Sequence, residues 1–182
     1  MARSAFLWIE NSEGSSTRGG KEKKDDPLPE PFEGRGGSSV SSEGRLGTIE
    51  CHHFEMAGES FFNSQTGEQT GSKQFRPVVI QKVVDNTSPL LWRALSEGWV
   101  FKATFKFYDY PAGDKEERHF YSVTLLQARV VGVRMHLPAT SDDTESNSLP
   151  PMEEVKLLFA DVKWESKIDG DTVTDASWKG RA

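Results

Sequence analysis

Cysteine is almost absent from this 182-residue chain. The single Cys51 cannot form an intrachain disulfide, and zinc ribbons and CxxC redox motifs are excluded with it. Long hydrophobic runs are also missing: the longest near the start, Ala5 to Ile9, is closed by Glu10. That is far short of a signal-peptide core or a membrane span, so synthesis in the cytoplasm, without signal peptide or membrane insertion, is the expectation. Positive charge is in deficit, with 22 Lys+Arg against 28 Asp+Glu, a net charge of −6 and a pI near 5.3. A generally basic surface for nucleic acid is thereby excluded, and no nucleic-acid partner is expected. Catalytic signatures are lacking as well: there is no GxSxG, P-loop, GxGxxG or HExxH.

What the chain does have is 11 Phe, 5 Trp and 16 Gly at 35% hydrophobic and 27% charged residues, the balance of a soluble, β-rich single domain with long loops. Ser4 to Glu10 reads as a first strand, and residues 11–45 as a long, flexible loop insertion in which Gly, Ser and Pro fill nearly half the positions. Leu46 to Met56 resumes as a strand, 57–75 as an extended polar loop, and Arg76 to Val84 (RPVVIQKVV) as a strand with apolar residues on both faces. One short helix is predicted over 89–97. Ser88 is placed to act as its N-cap, Pro89 presets φ at the first helical position, and Gly98 supplies the stop. Leu91 and Leu95, four apart with Ala94 beside them, predict an apolar stripe laid on a sheet.

From Trp99 to Asp109 the period becomes two, with Trp99, Phe101, Ala103, Phe105 and Phe107 facing one way and Lys102, Thr104 and Lys106 the other. Arg118 to Gln127 and Ala128 to Leu137 read as two further strands, 138–151 as a third polar loop, and Met152 to Ser166 as the last strand region. The step of three between Phe159 and Val162 predicts a β-bulge at Ala160 and Asp161. Residues 169–182 read as a polar tail. Lys102, Lys106, Lys156 and Lys163 stand on the second faces of these strands, and such faces must meet water, another subunit or a wet channel.

The densest cluster of ligand-type side chains is Cys51-His52-His53-Phe54-Glu55. A continuous strand would put Cys51 and His53 on one side and His52 on the other, so this segment carries the alternative of a small metal-binding β-barrel enzyme, against a plain strand with a buried cysteine. His119 and His136 show no spacing to a nucleophile. Gly34-Arg35-Gly36-Gly37 has no helix behind it to make a phosphate cradle, and the pairs Glu116-Glu117, Asp142-Asp143 and Glu153-Glu154 read as solvated charges.

DNTSPLLWRALSEG (85–98), directly after the VVIQKVV strand, resembles the signature of the haemolysin-coregulated protein (Hcp) family, the tube subunits of type VI secretion systems. HFYSVTLLQARVVGVRM and then PMEEVKLLFADVKWES follow in the family's order. AFLWIE and GTIECHHFEMAGE fit its first two strands, and Trp178 is similar to a tail tryptophan of some members. The resemblance covers about residues 4 to 168 and implies a domain over 1–168, followed by the tail 169–182. It implies a mainly β fold, a closed β-barrel of two sheets with the short helix on its side. Six copies would form a ring, and rings would stack into a tube within a sheath, capped by a VgrG-like spike and carrying effector cargo. It also implies no enzymatic activity, no cofactor, no metal, and secretion through the type VI machine itself. The tail-tube subunit of a phage-like contractile particle, which shares this plan, is the alternative. Aligning AGE after the second strand puts Glu55 at a channel-facing, cargo-contacting position, and the family's extended loop puts 57–75 against a neighbouring subunit or ring. The 11–45 insertion is longer, and the 57–75 loop shorter, than the family pattern.

Overall fold

A computed structural model describes residues 4–11, 17–18, 21–22, 48–71, 73–109, 117–137, 150–168 and 172–177. Its elements in chain order are β1 (Ser4–Asn11), β2 (Thr17–Arg18), β3 (Lys21–Glu22), β4 (Ile49–Cys51), β5 (His53–Glu55), β6 (Gly58–Glu59), β7 (Gln74–Phe75), β8 (Val78–Val83), α1 (Ser88–Glu97), β9 (Phe101–Asp109), β10 (Arg118–His136), β11 (Met152–Leu158), β12 (Asp161–Ser166) and β13 (Thr172–Ser177). The fold is thus mainly β with one helix. Within 11–45 only Asn11 at the end of β1 and the short β2–β3 pair are described, and Gly34 to Gly37, Glu116, Asp142, Asp143 and Trp178 lie outside the described residues.

Nine strands form one antiparallel system in the order β4-β1-β9-β10-β11-β8-β5, with β12 on β10 and β13 beyond it. The long β10 organises it. Its first half lies between β9 and β12, and its second half pairs with β11, so one strand runs through two sheets. Alternation fills the space between them. Leu7, Phe105 and Val123 lie in one inward row of the first sheet, and Ile80 and Val155 meet them from the second, all at most 2% exposed. Phe54 stacks edge-on against both Phe105 and Phe107, closing the end of this core.

The pairing does not describe the closed barrel expected. The path begins at β4, on β1, and ends at β5, on β8, and these two ends are successive pieces of one stretch bent at His52. The His52 N–H donates to Gln81 O at 2.8 Å, but the change of partner at the bend leaves no ladder joining the two ends.

The predicted split at Gln127–Ala128 is instead an irregularity within β10. Register against β9 shifts between Leu125 and Ala128, and Gln127 takes a φ of 51°, a left-handed conformation costing a side-chain-bearing residue about 1 kcal/mol. Opposite it, the chain breaks between β11 and β12, where Ala160 N–H donates to Leu126 O at 3.1 Å. Residues 57–75 are not a plain loop but an arm: β6 pairs β7, and Phe62 bridges Gln69 further out. The expected polar tail contains β13, six residues paired along β12 from Asp161↔Ser177 to Ser166↔Thr172.

Helix α1 begins one residue earlier than predicted. Thr87, not Ser88, is its N-cap, and no side chain caps it. The Ser88 hydroxyl is occupied elsewhere, accepting from Asp85 N–H at 3.0 Å and donating to Glu153 Oε1 at 2.7 Å. Pro89 sits in the first turn. Gly98 takes φ 66° and its N–H reaches back to Ala94 O, an end that only glycine makes without strain. The apolar stripe also differs: Leu91 and Ala94 are fully buried while Leu95 is only half-buried against the core. A three-residue step from Leu91 brings the small Ala94, not Leu95, beneath the helix axis where it meets the sheet.

Candidate functional site

Among the described residues no group of three or more His, Cys, Asp or Glu side chains could hold a metal, and no helix is long and apolar enough to cross a membrane. The Cys51-to-Glu55 segment is divided by its own bend. Cys51 faces the core and donates to Ile49 O at 3.7 Å, whereas His52, His53 and Glu55 face solvent. Cys51 and His53 therefore do not share a side, as a continuous strand would require, and His53 Nε2 meets only Glu55 Oε2, at 3.8 Å.

Burial pushes the Cys51 thiol up to about 12 from an ordinary 9.0, against the opposing charge of Lys82 and with some help from Glu50. The folded chain keeps this proton where the unfolded chain has lost it. Its contribution to stability is therefore whole below pH 9 and is lost as pH rises toward 12, by roughly 1.4 kcal/mol per pH unit. Urea melts at pH 8.5 and 10 should show a drop about 1 kcal/mol larger in the native sequence than in Cys51→Ala. Equal drops in the two proteins would mean that the thiol is not sealed in the core.

The two remaining histidines stand near opposite ends of β10. His119 Nε2 lies 2.9 Å from Ser122 Oγ and 3.1 Å from Tyr121 O. Burial, reinforced by Lys167, lowers its pKa, but Ser122 is itself only 6% exposed, so the contact braces a strand rather than presenting a nucleophile.

The outward face of the β5-β8-β11-β10 sheet carries two rows that are largely polar. Register aligns His53, Gln81, Glu154 and Arg134 in one row, and Glu55, Val79, Lys156 and Gly132 in the next. Glu55 is 62% exposed in the side chain, and Lys156 Nζ lies 3.4 Å from Glu154 Oε1. On the other sheet, Lys106 sits 4.5 Å over the Trp8 ring, Lys102 pairs with Glu10 at 2.8 Å and Lys163 with Glu165 at 3.7 Å. Each predicted second-face lysine is thus on a face away from the core, held by a neighbour on that face.

Behind the β5-β8-β11 face lies a group that the alternation argument missed. Glu153 and Lys82, expected at a solvated pair and in an ambiguous strand, are both 0% exposed. Lys82 Nζ donates to Glu153 Oε1 (2.8 Å), Asp85 Oδ1 (2.8 Å), Val83 O (2.7 Å) and Ser88 Oγ (3.3 Å). Asp85 Oδ1 also accepts from the Thr87 N–H and hydroxyl. Glu153 Oε2 is buried without a partner. The cluster ties β8, β11 and the start of α1 together, so DNTSP folds as it does because a buried ammonium needs its oxygens. The signal was present in phase: Lys82 continues the buried series Val78, Ile80, and Glu153 continues Val155, Leu157.

These features define a mainly β protein of two sheets with one helix. The family model described as "Type VI secretion system effector, Hcp" matches residues 31–165. The chain belongs to the Hcp family. It is 29% identical over 116 residues to the "Major exported protein" of Pseudomonas aeruginosa, an alignment spanning 63% of this chain and 66% of that protein, just under two thirds of its length. Its fold is similar to that of Hcp1 from E. coli EAEC 042, with a TM-score of 0.69 at 24% identity over 97% of this chain and 99% of that one. It is likewise similar to the secreted protein Hcp3 of Pseudomonas aeruginosa, with a TM-score of 0.63 at 20% identity over 98% of this chain and all of that one.

Proposed function

We propose that this chain is the tube subunit of a type VI secretion system, with no enzymatic activity of its own. Six copies close a ring, rings stack into the inner tube, a sheath surrounds it, a VgrG-like spike caps it, and effector cargo travels within. Membership of the Hcp family carries the reading. The two-faced β5-β8-β11-β10 sheet supports it physically, since its inner rows pack the core while His53, Glu55, Arg134, Glu154 and Lys156 make a wettable wall for a channel. A repeated heterologous contact around such a ring would also bury strand edges that a monomer leaves open. Export should follow from the machine: the protein should accumulate in the medium of a bacterium with an intact sheath and stay in the cells of a sheath-deletion strain. Equal export in both strains would defeat the proposal.

On this wall Glu55 is 62% exposed in the side chain and meets His53 Nε2 at 3.8 Å. Glu55→Gln is expected to leave folding and ring mass unchanged while altering which effectors co-purify with the ring. Loss of the ring would make Glu55 a structural residue.

A further inference from the structure

The inward face shared by β10, β12 and β13 runs past its buried residues into an open cavity. Val123 and Val162 are at most 2% exposed, and beyond them Tyr121, Trp164, Ser166, Thr172 and Thr174 line a space of about 390 Å³. Register brings the five together, since Tyr121 pairs with Ser166 and that with Thr172, while Trp164 pairs with Thr174. Alternation sends Lys163, Glu165 and Asp175 to the opposite face, so these lining residues carry no charge.

The two aromatic walls are braced by further rings. Phe107 lies 6.0 Å from Tyr121, and Phe75 lies 6.2 Å from Trp164, so both walls stand in place before anything enters between them. Tyrosine and tryptophan tips ordinarily find a polar partner when their rings are partly buried. Here, among the described residues, the Trp164 Nε1–H and the hydroxyls of Tyr121, Thr172 and Thr174 make no hydrogen bond, and Ser166 Oγ only accepts from Ile168 N–H at 3.4 Å.

These features narrow the chemistry of an occupant. An anion would meet no cation among the lining residues, and a cation no carboxylate. A wholly apolar molecule would strip water from the polar tips without replacing it. A neutral pyranose matches both aspects, because the C–H groups on one face of its ring suit the negative face of an indole while its hydroxyls both donate and accept. The volume lies toward the lower end of the roughly 300–1,000 Å³ usual for small-molecule pockets.

We infer that this cavity binds one neutral pyranose, stacked on Trp164 and exchanging hydrogen bonds with Tyr121, Ser166, Thr172 and Thr174. The cavity is open, so the sugar is either free or the end residue of a glycan. All five side chains belong to one copy, and the inference does not rest on the tube reading.

Fluorine NMR of the full chain labelled with fluorotryptophan tests it, with Trp164→Phe identifying the Trp164 signal among the 5 tryptophans. Methyl glucoside, methyl galactoside and N-acetylglucosamine are the probes, each also offered as the end residue of a soluble oligosaccharide. At least one should shift the Trp164 signal saturably, whereas glucuronate, with its charge, should not. Tighter binding of the oligosaccharide would identify a glycan end as the source, and equal binding a free sugar. Tyr121→Phe keeps the wall and should weaken binding by roughly 2- to 10-fold, the value of one hydrogen bond. Thr174→Tyr, at an exposed position, fills the cavity and should abolish the shift. No shift with any sugar, or a shift that survives Thr174→Tyr, overturns the inference. A shift with N-acetylphenylalanine amide but with no sugar would make the cavity a peptide site and overturn it equally.

Discussion

Replacing Lys82 by Met is expected to destabilise the fold by about 3–5 kcal/mol, because it leaves Glu153 and Asp85 as buried carboxylates without their shared cation. Few single changes away from the aromatic core should cost as much. The loss is mainly the penalty of an uncompensated charge rather than the value of the ion pair, so the partner change should reverse it. Lys82→Met/Glu153→Met is expected to recover most of the stability, since the packed interior tolerates a hydrophobic pair of similar volume. Denaturant melts of the two proteins test this. A cost below about 1 kcal/mol for Lys82→Met, or a double variant worse than the single, would show that water reaches the cluster.

The second large effect is expected on the helix. Leu91→Ala should cost about 2–5 kcal/mol, because Leu91 is 0% exposed where α1 packs on the sheet and the truncation leaves a cavity there. Leu95→Ala should cost clearly less, its side chain being only half-buried. The order of the two discriminates between the observed seating and the stripe read from spacing alone. Were Leu95→Ala the more damaging, the helix would be rotated about its axis from the position seen.

The helix illustrates how far local patterns reach. Pro89 and Gly98 bound it because their backbone preferences are their own, whatever surrounds them. Its cap and stripe were not legible in the same way. Ser88 is drawn from capping by Glu153, 65 residues away, and no local rule anticipates that partner. The half-buried β9 was plain from Phe101, Ala103 and Phe105 alternating with Lys102 and Thr104. Its neighbour β10 was divided in reading because Gln127 breaks the alternation, whereas the sheet absorbs the irregularity in a single strand.

The candidate surfaces divide along the same line. The outward lysines followed from period two, but the row joining His53, Gln81, Glu154 and Arg134 depends on strand order, which residues far apart in sequence decide together. Phase alone would have pointed to Lys82 and Glu153, each standing in a buried series, yet charged residues are so often solvated that composition argues the other way. The bend at His52 leaves no mark in the local pattern, because Leu46 to Met56 alternates well enough to fit one strand. Its consequence is chemical: Cys51 is sealed away while its neighbours face solvent.

The mass of the purified protein in solution tests the central claim most directly. Light scattering at physiological salt is predicted to give close to six times the 20.3 kDa chain, with rings around a central hole in negative stain. A protein that stays at 20.3 kDa at high concentration, with no rings on the grid, would contradict the account.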